Sequence, residues 1–377
     1  MENSKGIRIA KLVISLIAII GLLVYSKEFF LDEVDENSGS EQVNQPVSES
    51  TVLPVLSPVP AAKKTLEELV AAYGDIPIID AHNHNAGSSK YNAMLEVWDK
   101  HSIDRVVLFG AVSEPVAVET DQLAWRAYLE HPDRFIPFFS GVNLLEESGI
   151  ETVRANLEKG YFGIGEIAAA SIHSPLLANV PWKTKHPMDG VLPQIYELCA
   201  EYKAPLLLHI DPLNGVVIDK LLEAVEKYPD TTFILAHANA YNSPGHVELL
   251  LEGRPNLYAD FFAGFTAFNK DSEYTLEDYV PVIKKYPDRF LLSTDSGFGL
   301  ESEEVAIEAV YQLIDALDDR ELAKQVAYDN LDALIQQQPV TATQLAAIDA
   351  LNLKEVDRPD MKSLSKVEAA KIIYAKQ

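Results

Sequence analysis

From residue 76 to residue 295 the chain repeats one alternation: a short, continuously apolar run, then a stretch with the apolar spacing of a helix. The apolar runs are IPIIDAH (76–82), RVVLFG (105–110), FIPFFSG (135–141), FGIGEIA (162–168), PLLLHI (205–210), TFILAH (232–237), LYADFF (257–262) and FLLSTD (290–295). Runs that are apolar throughout, rather than at alternate positions, suit parallel strands buried on both faces. The amphipathic segments between them, such as 91–101, 121–131, 192–202 and 217–228, predict helices laid over that sheet. Eight units of this kind predict an α/β fold, a closed (β/α)8 TIM barrel, which takes roughly 250 residues. The competing arrangement is an open doubly wound sheet. It would be favoured by a glycine-rich phosphate loop after the first strand, and none follows residue 82. Three helix-to-strand turns share one chemistry, HPDRF (131–135), YPDTTF (228–233) and YPDRF (286–290): a helix end, a Pro-Asp turn and an aromatic opening the next strand.

The 377 residues leave room for more than the barrel, which is expected at 63–337, starting with the helix KKTLEELVAAYG. Residues 338–377 predict a C-terminal helical extension, with two helical stretches flanking Pro359, packed outside the barrel. Residues 1–34 read as a cytoplasmic tip and transmembrane signal anchor. The run 12–26 is uncharged, Lys5, Arg8 and Lys11 precede it, and Glu28, Asp32, Glu33, Asp35 and Glu36 follow it. Basic before and acidic after orients the N-terminus inward and the catalytic domain outside the cytoplasm, at a periplasmic or cell-surface location. Secretion after signal cleavage is the alternative. Residues 35–62, rich in Ser and Pro, read as a disordered linker. The 57 acidic and 31 basic side chains give a formal net charge of -26, which argues against nucleic acid as a partner. A homodimer is compatible with the sequence. The single cysteine, Cys199, allows neither a disulfide nor a thiolate zinc site, and its apolar neighbours place it on a buried helix face.

The ends of the apolar runs carry the chemistry. The first ends in Asp80-Ala81-His82-Asn83-His84, and side chains two apart on a strand share a face, so His82 and His84 can both point into the barrel mouth. Glu166 stands in the fourth run, and His209, His237 and Asp295 end the fifth, sixth and eighth. Active sites of such barrels lie at the C-terminal ends of the strands, where residues remote in sequence meet. Carboxylates in apolar surroundings are costly to keep charged unless something cationic offsets them. Imidazole and carboxylate donors without thiolate suit a divalent metal, zinc above all, with Mn, Fe or Ni as alternatives. Six candidate ligands can serve one ion or two; with two, Glu166 would bridge, and with one, His237 would be free to polarise the substrate.

In this pattern the chain resembles the amidohydrolase superfamily, over roughly residues 76–335. The matching features are Asp80-x-His82-x-His84, Glu166, His209, His237 and Asp295, in order and on the expected strands. LYADFF, the HPDRF turn and the closing segment DNLDALI (329–335) are similar to the amidohydrolase-2 (amidohydrolase-related) group. Glu166 in GIGEI is more like the strand-four carboxylate of TatD-type hydrolases than the carboxylated lysine of phosphotriesterases. The resemblance implies that His82, His84 and His209 are ligands, that Glu166 is a ligand or bridge, and that His237 is a ligand or electrophilic aid. It implies that Asp295 binds the metal and shuttles the proton. Asp80 is expected to orient a neighbour rather than to bind metal. The implied enzyme is a metal-dependent hydrolase acting through activated water on a small lactone, amide or ester. The alternatives are a metal-dependent decarboxylase, or a barrel that binds without catalysis. The long connection 170–190 offers His173, Trp182, His186, Lys183 and Lys185 as substrate contacts. Tyr241, its neighbours Asn242 and Ser243, and Phe261-Phe262 are further pocket candidates, and His101, His131 and His246 are expected at the surface.

Overall fold

A computed structural model describes residues 63–88, 90–353, 360–361 and 363–374. The expected membrane anchor, the linker and Pro359 lie outside the described residues. Among the described residues no helix is long and apolar enough to cross a membrane.

Strands and helices alternate through the barrel, with two helices between the last two strands. After α1 (Leu66–Tyr73) come β1 (Ile79–Asn83), α2 (Tyr91–Lys100), β2 (Arg105–Leu108), α3 (Pro115–Glu130), β3 (Phe135–Phe139) and α4 (Ser148–Lys159). Next are β4 (Gly163–Ala170), α5 (Leu192–Tyr202), β5 (Leu206–Ile210), α6 (Gly215–Lys227), β6 (Phe233–Leu235) and α7 (Pro244–Leu251). The barrel ends with β7 (Leu257–Phe262), α8 (Ala263–Phe268), α9 (Leu276–Lys285), β8 (Phe290–Ser293), α10 (Glu303–Leu317), α11 (Arg320–Lys324) and α12 (Asn330–Gln336), and the extension supplies α13 (Ala342–Ala350) and α14 (Lys366–Tyr374). The first helix starts where its sequence dictates. The Thr65 hydroxyl accepts from Glu68 N–H and the Glu68 carboxylate accepts from Thr65 N–H, a reciprocal cap. The recurrent Pro-Asp turns also do a defined job. Tyr286 N–H closes α9 onto the Val282 carbonyl, Arg289 N–H turns back to the Tyr286 carbonyl, and Phe290, fully buried, opens β8.

Seven parallel ladders join the strands in the order β1 to β8, so the expected eight-stranded parallel arrangement is present. The remaining junction, β8 against β1, is made by side chains. The buried Asp80 carboxylate accepts from Thr294 N–H at 2.9 Å and Thr294 O–H at 2.6 Å, and the Ser296 hydroxyl accepts from His84 N–H at 2.7 Å. Asp80 therefore closes the barrel, a specific form of its expected orienting role. The strands are shorter than the apolar runs. β6 stops at Leu235 and β8 at Ser293, so His237 and Asp295 stand two residues beyond their strands, at positive φ of 35° and 44°. α3 begins at Pro115 rather than near residue 121, with the proline in its first turn, where the missing N–H is harmless.

The core lies between the sheet and the helix ring and includes Trp98, Phe135, Phe138, Tyr196, Phe233 and Phe290. Phe261 belongs to it, packed on Tyr279 and Phe290, so it does not line a pocket as expected. The C-terminal extension meets the barrel at the N-terminal end of β4. Gln338 donates to the Phe162 carbonyl at 2.6 Å, buried Lys366 donates to the Tyr161 carbonyl at 2.9 Å, and Tyr374 stacks against Trp125. That is the barrel end opposite the strand ends that carry the six candidate ligands, so the extension buttresses the barrel from that side.

Candidate metal centre

Irregular backbone delivers four of the six expected ligands. On β1 the register against β2 shifts between Asp80 and Asn83, and on β4 it shifts against β5 between Ile164 and Ile167. The two bulges contain His82 and Glu166, and a bulge re-aims the side chain it carries. The β4 bulge requires Gly165. At φ 136°, a Cβ there would lie 2.5 Å from Leu207 Cβ and 2.9 Å from its carbonyl oxygen. His237 and Asp295 use left-handed backbone instead, a conformation that side chains other than glycine hold mainly at functional positions.

The structure gathers these residues into two triads that meet at Glu166. His82, His84 and Asp295 form one, Glu166, His209 and His237 the other, and within each the donor atoms lie within 4.8 Å of one another. Glu166 Oε1 is 2.9 Å from His209 Nδ1 and 3.1 Å from His237 Nε2, while Oε2 is 3.6 Å from His84 Nε2 and 3.9 Å from His82 Nε2. Asp295 Oδ1 lies 3.4 Å and 3.5 Å from the Nε2 atoms of His82 and His84. His82 is fully buried and Glu166 nearly so, whereas His84 and His237 are partly exposed, so the cluster opens on their side.

The tautomers follow from the outer partners. His84 Nδ1 faces the Gly110 carbonyl at 2.7 Å, and His82 Nδ1 faces Asp260 Oδ2 at 2.8 Å. Both partners only accept, so both Nδ1 atoms carry hydrogen and donate outward. The two Nε2 atoms then face each other at 3.0 Å with a lone pair to share. Only a cation suits that gap, either a proton or a metal ion. Electrostatics agree. Burial opposes charge on His82, but Asp295, Asp260 and Glu166 outweigh it and raise its pKa to about 10. His209 rises to about 9 in the same way, against burial, through Glu166 and Asp211. Burial disfavours ionised Glu166 and Asp295, yet the surrounding imidazoles hold both below their ordinary range. Positive charge is thus wanted here, and a bound metal would displace the protons that supply it. The donors are imidazole and carboxylate with no thiolate, and the residues fit a divalent ion.

Sequence reasoning missed the carboxylates behind the ligands. Asp260, in LYADFF, binds both His82 Nδ1 and His237 N–H. Asp211 stands two residues after His209 and faces its Nε2 at 2.8 Å. Glu303 opens α10 and accepts from Asn83, Asn85 and Trp98. An ionisable residue in an apolar run, or next to a ligand, was the available signal for the first two; nothing local marks the third. The four residues expected at the substrate side sit on the connections after β4 and β6. His173 is exposed, with its N–H on Asp211. Half-buried Trp182 donates its N–H to Ser113, and His186 Nδ1 accepts from Met188 N–H. Tyr241 is 81% exposed and stacks on Phe265. Asn242 and Ser243 are structural, the first bonded to the Ala238 carbonyl and the second capping α7. His101 is buried rather than at the surface, because its ring finds a partner in Glu304 at 2.8 Å. Cys199 is buried, and burial pushes its thiol pKa up, away from reactivity.

Fold and donor set together define a barrel with a candidate divalent-metal site at the C-terminal ends of its strands. Residues 79–330 match the family model described as Amidohydrolase, and the chain belongs to that family. Among solved structures it is similar to an uncharacterized TIM-barrel protein from Bordetella bronchiseptica, with a TM-score of 0.51 and 14% identity over 68% of this chain and 98% of the other. It is also similar to a putative amidohydrolase from Staphylococcus aureus (TM-score 0.46, 14% identity, 69% of this chain and 99% of the other). A third is 4-oxalomesaconate hydratase from Rhodopseudomonas palustris (TM-score 0.46, 15% identity, 73% and 98%). The first of these supports the barrel architecture. No curated protein matches the sequence.

Proposed function

We propose that this amidohydrolase is a metal-dependent hydrolase that adds water to a small carbonyl compound, a lactone, amide or ester. The observation that carries the reading is the pair of imidazole Nε2 atoms held 3.0 Å apart beside the Asp295 carboxylate. His82, His84 and Asp295 would hold one ion; Glu166, His209 and His237 would hold a second or leave His237 to polarise the substrate carbonyl. With two ions, Glu166, whose two carboxylate oxygens face the two triads, would serve both, as the resemblance to TatD-type hydrolases implies. When bound, the ion, zinc in this reading, lowers the pKa of water to about 7 and so supplies hydroxide at neutral pH. Asp295 accepts the water proton and passes it to the leaving group, since its carboxylate oxygen borders both His82 and His84. Asp260 and the Gly110 carbonyl keep the two imidazoles in the tautomer that presents Nε2 inward.

The domain is tethered outside the cytoplasm by the apolar segment 12–26, and a reporter fused after Gln377 would be active only in that compartment. The chemical test is a panel of lactones, amides, esters and aromatic carboxylic acids, assayed with zinc- and manganese-loaded protein. Release of alcohol, amine or ring-opened acid supports hydrolysis. Carbon dioxide release from the carboxylic acids alone would replace it with decarboxylation.

A further inference from the structure

The carboxylate of Asp211 has five partners, split between two structures. On one side it faces His209 Nε2 at 2.8 Å. On the other it accepts the N–H groups of Ile172, His173 and Ser174 at 2.6, 2.7 and 3.2 Å, and the Ser171 hydroxyl at 2.6 Å. Residues 171–174 begin the long connection between β4 and α5. Three successive backbone donors form a concave anion site, and Asp211 fills it. The rest of this connection is also tied down. Lys183 donates to the Ser171 carbonyl at 2.6 Å, the Thr184 hydroxyl donates to the Ala169 carbonyl at 2.7 Å, and Leu177 and Val180 pack on Val112 and Ala168.

Because Asp211 only accepts, its contact with His209 fixes hydrogen on Nε2, so Nδ1, facing Glu166 Oε1 at 2.9 Å, is the ring atom an ion would take on displacing the proton there. One side chain thus selects the ligand atom of His209 and holds the root of the connection that follows β4. We infer that Asp211 is a positioning residue that couples this connection to His209. Loss of the Asp211 carboxylate therefore loosens both the ligand and the root of 171–190. The inference rests on the metal-dependent reading above for its metal half and on hydrogen bonds alone for its loop half.

Two variants separate the halves. Asp211→Asn retains an oxygen for the Ile172 and His173 amides but places an amide donor against His209 Nε2, which favours the tautomer with hydrogen on Nδ1. Zinc affinity, measured by competition with a chromogenic chelator, should fall about 10–100-fold, the usual effect of losing a partner behind a ligand histidine. Ser171→Ala removes only a loop-side bond. It should leave zinc affinity within about twofold, since the ring contact persists. In that variant KM should rise while kcat holds, and amide hydrogen exchange at 172–174 should accelerate in protein stripped of metal. Asp211→Ala should accelerate that exchange further. Wild-type zinc affinity in Asp211→Asn overturns the ligand half, and unchanged exchange at 172–174 in Asp211→Ala overturns the loop half. A parent protein that binds no zinc, with exchange still accelerated in Asp211→Ala, would overturn the metal reading and leave the loop assignment standing.

Discussion

Asp295→Asn tests the proposed chemistry with little risk to the fold. Asp295 has φ 44°, in the left-handed region where most side chains are strained and Asn is among the best tolerated. The substitution is nearly isosteric and keeps a carbonyl oxygen beside His82 and His84, where the parent oxygen lies 3.4 and 3.5 Å from their Nε2 atoms. What it removes is the ability to take up a proton. General acid–base catalysis contributes typically 10²–10⁴-fold, so kcat should fall by about that factor, equivalent to roughly 3–5 kcal/mol of transition-state stabilisation. His82, His84 and Glu166 still surround the first ion position, so metal content should remain close to that of the parent. Three measurements suffice: steady-state kinetics on the best substrate, elemental analysis, and a thermal melt to show that the barrel is intact. Turnover within threefold of the parent, with metal bound, would refute the proton-shuttle assignment and pass the role to His237.

His82→Ala combined with His84→Ala removes two of the three donors of the first triad. Elemental analysis should show loss of bound metal at that position and assays loss of activity; full metal retention would dismiss the site. Glu303→Ala leaves the amides of Asn83 and Asn85 and the indole N–H of Trp98 without their buried acceptor, at about 1–3 kcal/mol each. Unfolding in urea should show at least about 2 kcal/mol of destabilisation, and a change below about 0.5 kcal/mol would mean that water replaces the carboxylate. Lys366 is buried, and burial lowers its pKa from 10.5 to about 7. The folded state therefore binds fewer protons than the unfolded one between these values, and parent stability should rise from about pH 7 to about pH 10.5. Lys366→Met should flatten that rise in the urea midpoint; an unchanged slope would show that another group produces it.

The barrel was legible because its strands are buried on both faces, and that burial writes unbroken apolar runs such as TFILAH and FLLSTD into the sequence. The six polar residues that interrupt those runs were legible for the same reason: within a run of Leu, Ile and Ala, a His or Glu stands out. Strand ends were less so. His237 and Asp295 continue the apolar pattern by position, yet their backbones have already turned to positive φ, which no side-chain pattern encodes. The carboxylates behind the ligands were harder. Asp211 and Asp260 look like ordinary polar residues until the partner strand is known, and Glu303 meets Asn83 only because the first and last units of the barrel are neighbours. His101 was misplaced because a helix end predicts exposure, whereas α10, more than 200 residues away in sequence, covers it.

The side-chain junction between β1 and β8 bears on how the protein comes to be made. His82 and His84 emerge early in synthesis and Asp295 more than 200 residues later, so the first triad cannot assemble until nearly the whole barrel has been translated. An ion taken up there would clamp the last edge of the barrel to the first, adding to the bonds of Asp80 with Thr294 and of Ser296 with His84. Metal supply during synthesis would then govern the yield of folded protein as well as its activity, because a ligand that binds only the closed form stabilises it in proportion to the logarithm of its concentration. Chains released into a metal-poor compartment would breathe at that seam first.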